Sequence, residues 1–211
     1  MKVELLEIFG DDNMVANVAR VSYLKHADNY PQEANDKLLK YLAEHNHWSP
    51  FSHPRLQFRL EIPIYVERQL VKTQVGVEYN SVSGRYVDFS DTYTTITEWR
   101  KQSKSSKQGS EGLVENQDEA VYIEDKIINT CKEGYDRLIE LGVSKEQART
   151  ILPLCLNTTM IWTGSLYAFI RLCKQRLKPD AQQETRMVVQ EMLNQVKQSK
   201  KFQQSLLVYG L

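Results

Sequence analysis

From Leu56 to Ile62 the chain alternates strictly, with Leu56, Phe58, Leu60 and Ile62 apolar and Gln57, Arg59 and Glu61 polar. A period of two puts all four apolar side chains on one face of a pleated strand, so the segment reads as a strand with one buried face. Pro63 follows at once and presets φ for the first turn of a helix, in which Ile64, Val66, Leu70 and Val71 bury one side. Strand, helix and then a polar loop succeed one another without a linker.

The other elements are read in the same way. Val3 to Phe9 suits an edge strand ending at Gly10, and Asn13 is read as the start of a short helix, Met14 to Val21. Pro31 opens a second helix carrying Ala34, Leu38, Leu39 and Leu42 on one face, up to His45. Between Thr92 and Asn116 the sequence is polar, without apolar periodicity, and is expected to be a flexible excursion. Its Lys107-Gln108-Gly109-Ser110 offers a lysine, an amide and open backbone donors, so a lid over an anionic substrate is the alternative. Asp118 to Leu141 has helical spacing, with Val121, Ile127, Ile128, Cys131, Tyr135, Leu138 and Ile139 on the apolar side and Gly142 as cap. Ser144 with Gln147 resembles a capping box, Leu156 to Thr163 reads as extended and broken by Gly164, Ser165 to Leu177 as a helix, and Pro179 as the start of a last long helix.

With 211 residues, 41% hydrophobic and 26% charged, the chain fits one soluble globular domain, 1–211. Its 27 acidic and 27 basic residues cancel, which disfavours non-specific nucleic-acid binding. No apolar run suits a membrane span, and the N-terminus is too poor in apolar residues for a signal peptide, so a cytoplasmic protein is expected. Cys131, Cys155 and Cys173 lack a C-x-x-C spacing and are expected to be buried small hydrophobes. His45, His47 and His53 lie near one another, but without acidic or cysteine partners they suit ordinary hydrogen bonds better than a metal.

Chemistry concentrates between Pro63 and Asp88. Arg68, Gln69, Lys72 and Gln74 fall within two helical turns, followed by Asn80, Ser81, Ser83 and Arg85, while Gly76 and Gly84 permit close backbone approach. Such a mixture of cations, amides and hydroxyls suits a phosphate or nucleotide; a polar surface helix with its exit loop is the plainer alternative. Arg85, Arg149 and Arg176 stand in comparable contexts, and a guanidinium fork suits a phosphate or the carbonyl edge of a pyrimidine.

Five blocks in order, S-P-F-S-H, R-Q-L-V-K-T-Q with N-S-V-S-G-R-Y, E-Q-A-R-T-I-L-P-L, W-T-G-S-L and Q-R-L-K-P-D-A-Q-Q-E, resemble those of the flavin-dependent thymidylate synthases. The resemblance implies an α+β domain with a small, mostly antiparallel sheet packed with helices, assembled as a homotetramer with FAD at subunit interfaces. It implies reductive methylation of dUMP at C5, with methylenetetrahydrofolate as carbon donor and NADPH as reductant. Residue by residue, it assigns Gln69, Lys72, Ser83, Gly84, Arg85, Arg149 and Arg176 to dUMP, with Arg176 ionising the uracil. Ser49, Lys72, Thr73, Gln74, Ser81, Ser165 and Arg171 fall at flavin positions, and His47 lies in the same region.

The chain departs from the family pattern on the flavin side. Lys72-Thr73-Gln74 replaces Arg-His-Arg, Ser81 replaces an acid, and Ser165, Tyr167 and Arg171 stand where asparagine, arginine and asparagine are common. A dUMP hydroxymethylase on the same fold and a non-catalytic nucleotide-binding relative are the two other readings that the sequence leaves open.

Overall fold

The computed structural model describes residues 1–87 and 92–211. Asp88, at the end of the polar stretch singled out above, lies outside the described residues. Strand β1 (Lys2–Phe9) leads into helix α1 (Asp12–Arg20), where the Asp11 carboxylate accepts from the Met14 amide at 2.9 Å as N-cap. Helix α2 (Gln32–Glu44) precedes strand β2 (Arg55–Pro63), which passes at Pro63 directly into helix α3 (Ile64–Leu70). Strand β3 (Val77–Ser81), a hairpin of β4 (Arg100–Gln102) and β5 (Ser110–Leu113), and helices α4 (Gln117–Glu140) and α5 (Lys145–Ala148) follow. Strand β6 (Asn157–Ser165) then runs into α6 (Leu166–Arg176), and α7 (Gln183–Ser199) and α8 (Gln203–Val208) complete the chain.

The long strands make one sheet in the order β1-β2-β6-β3, every neighbour antiparallel. This is the small antiparallel sheet expected of an α+β domain. Register places Phe58 opposite Trp162, Leu60 opposite Met160 and Leu56 opposite Gly164, so the apolar faces of β2 and β6 coincide. Phe169 of α6 packs on that face with its ring 5.9 Å from Phe58 and 6.3 Å from Trp162. All three rings are fully buried, each contributing on the order of 2 kcal/mol over an exposed position. On the opposite face the Gln57 amide donates to the Thr163 hydroxyl at 3.1 Å. The sheet is therefore covered by helices on one side and polar on the other, as the alternation of β2 requires.

Several expectations are corrected. Gly164 does not break the extended run but lies within β6, paired with Leu56 of β2; glycine is needed there because a Cβ would sit 2.4 Å from the Trp162 ring. The segment from Thr92 to Asn116 holds the β4–β5 hairpin rather than a flexible excursion. Its order comes from polar bonds that hydrophobic periodicity cannot reveal: the Gln102 side-chain amide donates to the carbonyls of Ser106, Lys107 and Gly109 at 3.1–3.2 Å. Ser144 makes no side-chain cap bond to α5, so the capping box is not formed, and α7 begins at Gln183, after Pro179 and the loop that follows it. In α4 the expected apolar side is unevenly covered: Ile128 and Tyr135 are buried and Cys131, Leu138 and Ile139 half-buried, but Val121 and Ile127 are exposed. Cys173 is buried as expected, whereas Cys131 and Cys155 are half-buried.

Candidate functional site

Two clefts gather the polar residues, one at each end of α6. At the C-terminal end a cleft of about 520 Å³ is lined by Gln69 of α3, Arg176 of α6, Gln182 and Arg186 around the start of α7, and Gln102 and Ser110 of the hairpin. Antiparallel pairing of β2 with β6 makes this possible, since it sends α3 and α6, which leave those strands, back over the same core. Arg176 donates from Nη2 to the Gln69 carbonyl at 2.7 Å, and the Gln69 side-chain amide donates to the Gln182 side-chain oxygen. Arg176 Nε is buried without a partner among the described residues, so the guanidinium retains hydrogen-bonding capacity. Burial pulls its pKa below the ordinary arginine value, yet the group is a cation at neutral pH.

The wall of this cleft is fixed by Arg100. Its Nη2 donates to Glu184 Oε1 at 2.8 Å, with the two side chains only 17% and 9% exposed, and its Nε donates to Ser110 Oγ at 2.9 Å. Burial alone would raise the Glu184 carboxyl, but the hydrogen bond from Arg100 and further bonds around it bring it below the ordinary glutamate value. With Glu184 matched by Arg100, the remaining charges on the lining are Arg176 and Arg186 against Asp180, a positive balance that suits an anion.

At the N-terminal end of α6 a second cleft, of about 420 Å³, is lined by Trp48, Arg55, Gly76, Ser165, Tyr167 and Arg171. Ser165 caps the helix, its hydroxyl accepting from the Ala168 amide at 3.1 Å. Trp48 and Tyr167 stack with ring centroids 5.6 Å apart and planes at 23°. Gly76 adopts φ +76°, and a Cβ would approach Ser165 Oγ to 3.0 Å, so backbone and hydroxyl lie close together there. An aromatic platform beside an exposed guanidinium fits a planar ring with an anionic arm.

The residues anticipated from the sequence thus divide. Gln69 and Arg176 share the first cleft; Ser165 and Arg171 share the second, and Ser49, exposed, adjoins Trp48. Lys72 and Gln74 are exposed on the turn after α3, while Thr73 is buried with Oγ1 3.5 Å from Gln175 Oε1. The Ser81 hydroxyl donates to Glu67 of α3. Ser83 and Gly84 form a turn closed by the Tyr86 amide on the Ser83 carbonyl at 3.0 Å, and Arg85 is exposed beside the Tyr86 ring. Arg149 is half-buried at the end of α5. Within one chain, Lys72, Ser83, Gly84, Arg85 and Arg149 line neither cleft.

Arg100, Gln182 and Glu184 were not anticipated. Gln182 and Glu184 lie in the Q-R-L-K-P-D-A-Q-Q-E block, but only the fold brings Arg100 to them. Among the described residues no group of histidine, cysteine and acidic side chains is placed to hold a metal, and no helix is long and apolar enough to cross a membrane.

A family model described as thymidylate synthase complementing protein matches residues 4–199. The flavin-dependent thymidylate synthase of Kosmotoga olearia is 36% identical over 185 residues, covering 86% of this chain and 79% of the relative. That of Thermus thermophilus is 34% identical over 196 residues, covering 93% and 71%. In fold, the chain is similar to the crystal structure of a UMP/dUMP methylase, PolB from Streptomyces cacaoi, bound with 5-Br dUMP, with a TM-score of 0.87, 24% identity and coverage of 99% and 94%.

Proposed function

The chain belongs to the flavin-dependent thymidylate synthase family, and from that membership we propose that it converts dUMP to dTMP with methylenetetrahydrofolate as carbon donor. The observation that carries the reading is Arg176: a half-buried guanidinium, fixed by the Gln69 carbonyl, on a cleft with a positive balance of charge. Carbon 5 of uracil becomes nucleophilic when negative charge on the ring is stabilised. Arg176 would donate to the ring's carbonyl edge and hold the charge left when N3 gives up its proton. A thiolate adding at C6 is the other chemical route, and Cys173 and Cys155 do not suit it. Cys173 is buried, with burial pushing its thiol up to about 12, and burial also raises that of Cys155.

The stacked Trp48–Tyr167 face, with Ser165 and Arg171, fits the planar ring and anionic arm of FAD. When bound, FAD supplies the hydride that NADPH has delivered to it. Ser49, Lys72, Thr73, Gln74 and Ser81 are assigned to the same cofactor through the family pattern. Glu67, which accepts from Ser81, brings a carboxylate beside the position where relatives carry an acid.

The working unit in this reading is a homotetramer. Its support is a group of apolar side chains on α4, Tyr122, Ile123 and Ile127, each more than half exposed, and the absence of Ser83, Gly84, Arg85 and Arg149 from the Arg176 cleft. A neighbouring subunit would bring these last residues to the nucleotide phosphate, with Gln69 and Arg176 coming from the first. Purified protein reconstituted with FAD, given dUMP, methylenetetrahydrofolate and NADPH, should yield dTMP by mass spectrometry, with light scattering reporting four subunits. A hydroxymethylated product, or dUMP binding without turnover, would replace this assignment.

A further inference from the structure

Resting on the dUMP reading, we propose that Arg100 and Glu184 are positioning residues whose ion pair seats the β4–β5 hairpin as a closing wall on the nucleotide cleft. Arg100 is the hub of the hairpin's root. Besides Glu184 on α7, it holds Ser110 across the hairpin and the Glu98 carbonyl at 3.4 Å before it. The tip has a second anchor, the Gln108 side-chain amide donating to Asp180 at 3.0 Å. Both anchors lie on the stretch between α6 and α7 or on the first turn of α7, and Gln182, which receives Gln69, lies there too. The same short segment thus holds both anchors of the wall and, through Gln182, the Gln69 side chain of α3 on the cleft.

The chemistry of the pair favours positioning over simple stabilisation. Desolvating two charges costs about as much as their attraction returns, so a buried pair is poor cement but specifies one geometry sharply. The hairpin, held within itself by Gln102 and Glu111, is a preformed unit that needs only seating. Gln102, Gly109 and Ser110 line the same cleft as Arg176, and the Ser110 hydroxyl, which accepts from Arg100, keeps its proton to donate. Lys104 and Lys107 sit on the hairpin turn, so its state can be read by trypsin.

The experiment compares wild type, Arg100→Met, Arg100→Lys and Gln108→Ala, each loaded with FAD. The kcat/KM for dUMP should fall about 10- to 100-fold in Arg100→Met, as expected for displaced binding groups, with most of the loss in KM. Arg100→Lys, which keeps one contact to Glu184, should recover part of it, and Gln108→Ala, at an exposed tip with little risk to folding, should show a smaller rise in KM. In wild type, saturating dUMP should slow tryptic cleavage at Lys104 and Lys107, and Arg100→Met should lose that protection. Folded Arg100→Met and Gln108→Ala with wild-type KM, and a cleavage pattern indifferent to dUMP, would overturn the proposal. If Arg100→Met does not fold, Gln108→Ala alone decides. A wild type that fails to bind dUMP would instead sink the functional reading on which this one rests.

Discussion

Arg176 donates to the main-chain carbonyl of Gln69, 107 positions earlier in the chain, at 2.7 Å. A backbone acceptor cannot be lost by substitution at position 69, so the guanidinium's orientation depends on where α3 ends rather than on what side chain it carries. Arg176→Ala should therefore lower kcat for dTMP formation by about 10²- to 10³-fold, the range for losing a preorganised charge-stabilising donor. Binding of dUMP, followed by calorimetry, should weaken much less. Gln69→Ala should spare the Arg176 anchor and cost less than Arg176→Ala.

Subunit sharing gives a sharper test. If Arg149 and Arg176 of one site come from different chains, mixing inactive Arg149→Ala and Arg176→Ala proteins through a dissociation step should restore roughly a quarter of wild-type activity, since a fraction of interfaces then pairs two intact halves. Sites built within one chain would stay dead in every mixture.

Trp48→Ala removes one ring of the stacked pair that lines the second cleft. FAD affinity, measured by quenching of flavin fluorescence, should fall about three- to ten-fold, the magnitude of one aromatic contact. Unchanged affinity would move the isoalloxazine elsewhere.

Acid stability should report the Glu184 carboxyl. Its folded value lies below the ordinary 4.5, so it contributes stability that is fully present above that value and is lost as pH falls through the folded one. Glu184→Gln should flatten this part of the profile below about pH 4.5 in urea titrations, while losing stability at neutral pH through the unpaired Arg100.

Gly164→Ala should destabilise the protein by about 1–3 kcal/mol in denaturant melts, because the new methyl meets the fully buried Trp162 ring.

The same glycine shows why the sequence was legible in some places and not in others. Strand β2 was plain because each of its side chains obeys one local rule, apolar in and polar out, whereas the glycine of β6 is explained only by the indole two residues before it. The β4–β5 hairpin was hidden for a related reason: its order rests on amide, hydroxyl and carboxylate bonds, which leave no hydrophobic period. Family resemblance reached Gln69 and Arg176, which carry a motif. Arg100 and Glu184 escaped it because their pairing spans 84 positions and depends on how α7 returns past the hairpin. The apolar side of α4 was legible as a stripe, but a stripe does not say what covers it, and part of this one is exposed in the single chain.

Helix α6 connects the two clefts, with Ser165 at its head in one and Arg176 at its foot in the other. At 1.5 Å per residue these positions are about 16 Å apart along a straight axis. An α-helix neither stretches nor shortens, so it acts as a gauge block between the place where a ring would dock and the place where a base would ionise. Any movement that brings two ligands together in the catalytic cycle must be made by the parts mounted around this rod, and a single residue inserted into it would rotate one end by about 100° and put the two chemistries out of phase.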